Sequence, residues 1–480
     1  MSAPFRVAII GAGPSGFYAA AQLLAVDDPV FAVDLFDRLP TPYGLVRAGV
    51  APDHPKIKSV TRAYDKTASH ERFRFFGHVE LGTDITRQEL LERYHAVIYA
   101  IGTATDRRLG IPGEDLQGSH AATEFVAWYN GHPDHSGLEI DLQARQAVVI
   151  GAGNVAIDVA RMLALGPEEL AVTDTADHAI EVLNASGIEE ITILTRRGPL
   201  QAAFTNPELL EMSELTRADL EVVNGDLDEL SQAALCDADK TRTRNVEISQ
   251  DYAGRDRSHP PRPITVRFHY LASPVELLAD ERGHVRAVKI ERNEIVERDG
   301  RLAARGTSEL SEIPAQLVFR SIGYTGLPVA GIPFDEAHGL IRNQGGRVLD
   351  DSGERCVGEY VTGWIKRGPS GVIGTNKKDS HDTVAKLLED AAAGRLNAPA
   401  SGDMEGSCAT APSTLSSGTA GRPSMPPRPQ PAGRPIPTAP ASSSLTGSSY
   451  AKRPAGSPAR PAGRSHLVST RQRHAANWCA

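Results

Sequence analysis

Apolar positions along the chain fall into short runs that end in glycine. The clearest are Val7–Ile10 in RVAIIGAGPSG and Val148–Ile150 in QAVVIGAGNVA. Both runs are continuous rather than alternating, the pattern of strands buried on both faces of a parallel sheet. Each leads into a glycine-rich turn and then a helix-like pattern, FYAAAQLL in the first case and VAIDVAR in the second. Further apolar runs recur at AVDLFD, HAVIYAIG, EITILTRRG and QLVFRSIG. Strands alternating with helical patterns predict an α/β protein with parallel sheets. Residues 200–320 read as mixed, with antiparallel strands expected at ITVRFHYL and VRAVKIERNEIV. No short repeat is present, but the two glycine turns head two large, similar halves.

Composition narrows this picture. The 480 residues allow two or three domains, and 40% hydrophobic with 23% charged residues is the balance of a soluble globular protein. No apolar run approaches the length of a membrane-spanning helix. The first apolar strand begins at Val7, which leaves no room for a leader, so a cytoplasmic location is expected. The cysteines, Cys236, Cys356, Cys408 and Cys479, are scattered and form no Cys-x-x-Cys. That spacing argues against a disulfide scaffold, a zinc site, a cysteine-ligated iron–sulfur cluster and a dithiol relay, and no metal is expected. Residues 401–480 hold 12 of the 33 prolines and nine Lys/Arg against two Asp/Glu, about +7. The overall charge of −9 therefore leaves about −16 on residues 1–400. Residues 399–480 read as a disordered Pro/Ser/Arg-rich tail. Its charges are spaced singly and lack interleaved aromatics, so nucleic-acid binding is not expected.

Gly11, Gly13 and Gly16 form Gly-x-Gly-x-x-Gly between a strand and a helix. The first glycine permits the tight turn, the second lets backbone approach a pyrophosphate, and the third allows close helix–strand packing. The helix N-terminus stabilises the phosphate charge. A second strand, Ala32–Phe36, ends at Asp37, where a carboxylate can hydrogen-bond the ribose hydroxyls of an unphosphorylated adenosine. The later run HAVIYAIGT (His95–Thr103) resembles the strand that closes the FAD domain of two-dinucleotide flavoproteins. In those folds the chain crosses into an inserted NAD(P) domain and returns, here at GEYVTGWIKRGPSGVIGT (Gly358–Thr375). The first turn is therefore expected to hold FAD.

The second turn has Gly151 and Gly153, with Ala156 in place of the third glycine. A methyl there moves the helix slightly off the strand, as NADP-preferring sites often show. The strand Ile191–Thr195 ends in Arg196–Arg197, where an NAD site would carry an acid. Guanidiniums match a phosphate bidentately and stay charged at all working pH. The pair selects for NADPH. A helical insertion over residues 167–184 accounts for the long spacing from Gly151.

Six strings together, TPYGLVRAGVAPDHPKIKSV, RFRFFGHVELG, DRRLGIPGED, GAGNVAIDVAR, RRGPLQAAFT and GWIKRGPSGVIGTNKKD, lie between residues 41 and 379, and the likeness they carry covers about residues 5–390. In them the chain resembles the adrenodoxin reductase-type ferredoxin–NADP reductases, most closely the actinobacterial branch. The resemblance implies a two-dinucleotide-binding-domain flavoprotein. Residues 1–105 and 325–398 would form the FAD domain, and residues 106–324 an inserted NADP domain. It implies hydride transfer from NADPH to FAD N5, then single electrons to an iron–sulfur ferredoxin, by a monomer. Ser15, Asp37, Leu45 and Leu81 would line the FAD adenosine and pyrophosphate, and Trp364 with Gly371, Val372 and Ile373 would contact the flavin. Arg107, Asn154, Val155, Ala156, Ile157, Arg196, Arg197 and Glu208 would hold NADP, with Gly371 shared near the nicotinamide. His54 and Glu211 match polar residues that modulate hydride transfer. Asp37 departs from a family glutamate and has a shorter reach, which bears on FAD binding. The family also continues with helical sequence past residue 400, where this chain has its tail.

Ferredoxins are usually acidic, so a basic docking face is expected. One candidate is residues 240–262, with Arg242, Arg244, Arg255, Arg257 and Arg262. Two rival readings remain: another NADPH-dependent flavoprotein reductase, and a nucleotide-sensing flavoprotein without turnover. The missing cysteine pairs count against disulfide reductases and cluster-bearing glutamate-synthase subunits.

Overall fold

The computed structural model describes residues 3–103, 105–256 and 260–399. Two nucleotide-binding-type sheets organise them. In the first sheet Phe5–Ile10 lies between Phe31–Asp37 and Ala96–Tyr99, with Phe73–Gly77 beyond Phe31–Asp37, all parallel. The chain leaves this sheet after Tyr99 and returns at Arg355–Val361. That strand pairs parallel with Ala96–Tyr99, Tyr360 opposite Ile98. Short antiparallel strands at Asn343–Gln344 and Arg347–Leu349 complete the edge.

Both faces of the first sheet are covered, which explains the continuous apolar runs. Val7 and Ile9 join one core with Phe17, Leu23 and Leu387, and Ala8 and Ile10 join the opposite core with Val97 and Ile365. Successive side chains of a strand alternate faces, so a strand buried twice has no polar positions to spare.

The second sheet is six-stranded and wholly parallel, in the order Ser119–Ala121, Leu317–Arg320, Gln146–Ile150, Glu190–Leu194, Ile264–His269, Ala218–Val223. The antiparallel expectation for ITVRFHYL is thus corrected: Ile264–His269 runs parallel to both its neighbours. VRAVKIERNEIV does lie in an antiparallel hairpin, Val285–Arg298 with Arg301–Pro314, alongside Ala272–Ala279. This hairpin sheet covers one face of the second sheet: Val148 and Ile150 share a core with Leu277, Val288 and Ile290. Helices cover the other face, where Ala147 and Val149 pack with Ile157, Ala160 and Phe125. Where the chain passes between the two sheets, Thr105–Asp106 pairs antiparallel with Tyr324–Thr325. The helical insertion after the second turn resolves into Pro167–Leu170 and Asp177–Asn184.

No helix among the described residues is long and apolar enough to cross a membrane. Of the Pro/Ser/Arg-rich tail, residues 399–480, read from sequence as disordered, residues 400–480 lie outside the described residues.

Candidate functional site

The first glycine turn is held from both sides. The Gly11 amide donates to Phe36 O at 2.8 Å. A methyl on Gly16 would meet the Gly11 carbonyl oxygen at 2.1 Å, so the helix Pro14–Leu24 sits against the turn as only glycine allows. Pro14 opens that helix, where its missing N–H costs nothing. Gly13 differs: nothing lies within 4 Å of the position a Cβ would take. The open room at Gly13 faces the start of the helix and fits an anionic group. Asp37 closes the turn, its Oδ2 accepting from the Ala12 amide at 2.7 Å and its Oδ1 from the Leu39 amide at 2.9 Å. Burial pushes the Asp37 carboxyl up, against the pull of these two amides and of Arg38. Each carboxylate oxygen keeps a lone pair for a further donor.

The segment TPYGLVRA folds onto this turn. The Tyr43 amide donates to Ala12 O at 2.8 Å, and a Cβ on Gly44 would lie 3.0 Å from Gly13 Cα. Leu45 follows, partly exposed, at the start of the short helix Leu45–Ala48. Leu81 forms an isolated bridge to Ile85, beside the second core of this sheet. The returning chain reaches the same end of the sheet. Gly363 packs on Ser15, whose oxygen would stand 2.3 Å from a Gly363 Cβ, and Ser380 donates to Ser15 O at 2.9 Å. Trp364 stacks obliquely on Tyr324, ring centroids 5.2 Å apart, and its indole N–H is buried without a partner among the described residues. Gly371 takes a left-handed φ of 78°, Val372 is 60% exposed, and Ile373 packs into the first core. They lead into the long helix Thr375–Ala392.

The second turn repeats the scheme. Gly151 donates to Leu194 O at 3.0 Å, a Cβ there would meet Ser321 O at 2.2 Å, and Gly153, like Gly13, faces open space. Asn154 Oδ1 accepts from the Thr205 amide at 2.8 Å and its Nδ2 donates to Thr205 Oγ1, tying the helix start to the loop before Asn206–Glu211. Ala156 and Ile157 are fully buried, so a ligand could meet them only through backbone; Val155 packs at the core's margin. Arg196 is exposed and Arg197 half-buried. Arg107 sits apart from them, its amide bonded to Gly323 O and its Nε to Tyr324 O at the crossing between the sheets.

His54 and Glu211 meet. His54 caps the short helix Pro55–Lys58, and its Nε2 lies 2.8 Å from Glu211 Oε2. Beside them is a buried charge cluster that the sequence reading missed. Arg161, 4% exposed at its side chain, bonds Asp53 through Nε at 2.5 Å and Nη2 at 2.9 Å, and Asp158 through Nη2 at 2.8 Å. Its Nη1 stands 3.7 Å from Glu211 Oε2. Arg161 holds Asp53 below the usual carboxylate range despite its burial, whereas burial dominates at Asp158 and pushes it up. Glu208, on the same helix as Glu211, is pushed up by burial and by the charges of Asp158 and Glu211, and its Oε2 is buried without a partner among the described residues. Residues 51–58 of the first half and two helices of the second are therefore joined by charge along one seam. Lys58–Asp174 at 2.8 Å and Arg38–Asp134 at 2.6 Å add further links.

The arginine-rich stretch is not a uniformly basic face. Residues 240–253 form a helix capped by Asp239. Arg242, Arg244, Arg255 and Arg262 each lie beside a carboxylate, of Asp239, Glu247, Asp251 and Asp219. Arg257 lies outside the described residues.

Known proteins match this arrangement. Residues 5–209 fit the family model described as pyridine nucleotide-disulphide oxidoreductase. NADPH-ferredoxin reductase FprA of Mycobacterium tuberculosis is 50% identical over 394 residues, 81% of this chain and 84% of that protein. The mitochondrial NADPH:adrenodoxin oxidoreductase of Arabidopsis thaliana is 41% identical over 407 residues, 81% of this chain and 83% of its own. The solved structure of M. tuberculosis FprA in complex with NADPH superposes with a TM-score of 0.77 at 48% identity, over 82% of this chain and 87% of that one. With identity of this depth along both nucleotide folds, the chain belongs to the adrenodoxin reductase-type ferredoxin–NADP reductase family of two-dinucleotide flavoproteins.

Proposed function

We propose that this protein is an NADPH-dependent ferredoxin reductase. Residues 1–105 and 325–398 form its FAD domain and residues 106–324 its NADP domain. The observation that carries the reading is the seam. Each half supplies a glycine turn with open room at its middle glycine, and His54 and Glu211 meet across the seam between the halves at 2.8 Å.

The free groups of the first half fit FAD. The room at Gly13 suits a pyrophosphate, the spare lone pairs of Asp37 suit ribose hydroxyls, and the orphan indole N–H of Trp364 suits a ring acceptor. Ser15, Leu45 and Leu81 line the same end, and Gly371, Val372 and Ile373 bring backbone to the flavin ring. When bound, FAD supplies the hydride-accepting and one-electron chemistry that no side chain offers. The second turn holds NADPH by the backbone of Gly151, Gly153 and Asn154–Ile157. Arg107 sits at the crossing, Arg196 and Arg197 at the 2′-phosphate, and Glu208, with its orphan oxygen, toward the ribose or nicotinamide amide.

The chain's own work is to bind, align and shield. Asp53–Arg161 and His54–Glu211 hold the two halves in one register, which fixes the distance over which a hydride must move. The His54–Glu211 pair keeps a proton beside the seam at Nε2, available to balance charge as electrons arrive. The acceptor is an acidic iron–sulfur ferredoxin, and the enzyme works as a cytoplasmic monomer. The test is to mix the yellow flavoprotein anaerobically with NADPH and then with ferredoxin. NADPH should bleach the flavin and ferredoxin should restore it; a flavin that binds NADPH without bleaching would make the protein a sensor, and bleaching without reoxidation by ferredoxin would make it another reductase.

A further inference from the structure

A cavity of about 730 Å³ opens beside Arg197, between the turn after Glu190–Leu194, the first turns of the helix Lys240–Ala253 and the tip of the long hairpin. Three arginines contribute to its lining: Arg197, Arg242 from the helix and Arg301 from the hairpin. Among its lining residues only Asp239 is acidic, and that carboxylate is committed. Its Oδ1 accepts from the Thr241 and Arg242 amides at 2.9 and 3.0 Å, and its Oδ2 stands 3.5 Å from Arg242 Nε. That carboxylate is thus engaged by the start of its own helix and by Arg242. Burial, then the charges of Arg196 and Arg242, push the Arg197 guanidinium down, a repulsion that a dianion would relieve. Leu200 and Leu302 add apolar wall suited to a flat ring.

We propose that Arg242 and Arg301 complete, with Arg197, a three-sided guanidinium cage for the 2′-phosphate of the nucleotide. Selection for NADPH then rests on three separate elements rather than on the Arg196–Arg197 pair alone. The proposal rests on the reading that the second turn takes NADPH. It also removes Arg242 from the ferredoxin-docking stretch. A phosphate set among three planar forks accepts charge-assisted hydrogen bonds from each, whereas a nucleotide without the 2′-phosphate leaves the cage unused.

The test uses the full-chain flavoprotein and the variants R197Q, R242Q, R301Q and R244Q, with 2′,5′-ADP and 5′-AMP as probes. Arg244 lies on the same helix but outside the cavity and pairs with Glu247 at 2.7 Å, so it controls for a general loss of charge. R242Q and R301Q should each weaken 2′,5′-ADP about tenfold, the low end for a charge-assisted contact at an exposed group. Binding of 5′-AMP and flavin content should stay unchanged, and the NADPH/NADH ratio of kcat/KM should fall in step. Equal weakening of both probes, no weakening, or the same loss in R244Q would overturn the cage. If R197Q discriminates less but R242Q and R301Q do not, only the cage fails. If R197Q also leaves 2′,5′-ADP binding intact, the reading of the second turn fails with it.

Discussion

Replacing Arg161 by leucine should unfold the seam before it touches either nucleotide turn. The side chain is 4% exposed and its guanidinium bonds Asp53 twice and Asp158 once, all within 2.9 Å. Leucine fills much of the volume but leaves both carboxylates, 17% and 13% exposed, without their cation. Breaking a buried pair from one side costs about 3–5 kcal/mol, mostly the penalty of the stranded charge. That penalty carries a pH signature. In the native protein Asp53 is held low by Arg161, so its contribution is complete above the unfolded carboxylate range and is lost only as pH falls through its depressed value. Without Arg161, burial raises Asp53 as it already raises Asp158, and the cost is then full at neutral pH and relieved on acidification. Urea unfolding of R161L, followed by far-UV circular dichroism and flavin release, should therefore lie well below wild type at pH 7.5. The gap should narrow by pH 5.5. Adding D53N should recover part of the loss, because the stranded charge is gone. A gap under about 1 kcal/mol, the worth of an exposed pair, that ignores pH would refute the reasoning.

Other consequences follow from the same geometry. Asp390 is lowered to about 2 by Arg347, Arg395 and Tyr360, which tie the helix Thr375–Ala392 to the returning strand. Its contribution of about 2 kcal/mol is complete above pH 4 and lost toward pH 2; D390N should flatten acid unfolding across that window, and an unchanged profile would count against it. Gly13→Ala should abolish flavin binding while the sheet stays folded, since the methyl enters open room, whereas Gly16→Ala should destabilise the fold, its methyl 2.1 Å from Gly11 O. Flavin content and circular dichroism separate the two; equal loss of fold would contradict the distinction. Trp364→Phe keeps the ring contact with Tyr324 but removes the orphan N–H, and should loosen FAD by about tenfold, the worth of one hydrogen bond. Unchanged FAD affinity would remove Trp364 from the flavin site.

The two glycine turns, the strand ending at Asp37 and the double arginine were legible because local chemistry dictates them. A turn that brings a helix to 2.1 Å from a carbonyl must be glycine, and the residue is visible without the fold. The cluster around Arg161 was not legible. Asp158 and Arg161 stand three apart on one helix, an ordinary exposed pair by spacing, and their burial depends on Asp53, which is 108 positions from Arg161 in the chain. The strand Ile264–His269 misled for a related reason. Its burial alternates because it lies next to the sheet's edge strand, Ala218–Val223, so a parallel strand copied the pattern of a half-exposed antiparallel one. Likewise the arginines of residues 240–262 count as free charge in a sequence, yet each described one lies beside a carboxylate fixed by helix spacing or by Asp219. Net local charge, unlike a glycine turn, is set by neighbours the sequence does not place.

The central claim is that two nucleotides meet at one seam and that the second carries a 2′-phosphate. Anaerobic stopped-flow reduction of the bound flavin tests it directly, with NADPH and NADH compared at equal concentration in wild type and in an R196Q/R197Q variant. The account predicts fast bleaching by NADPH, slow bleaching by NADH, and a variant whose NADPH advantage falls sharply while its NADH rate is kept. Equal rates in the wild type, or an NADPH advantage undiminished by loss of both arginines, would contradict it.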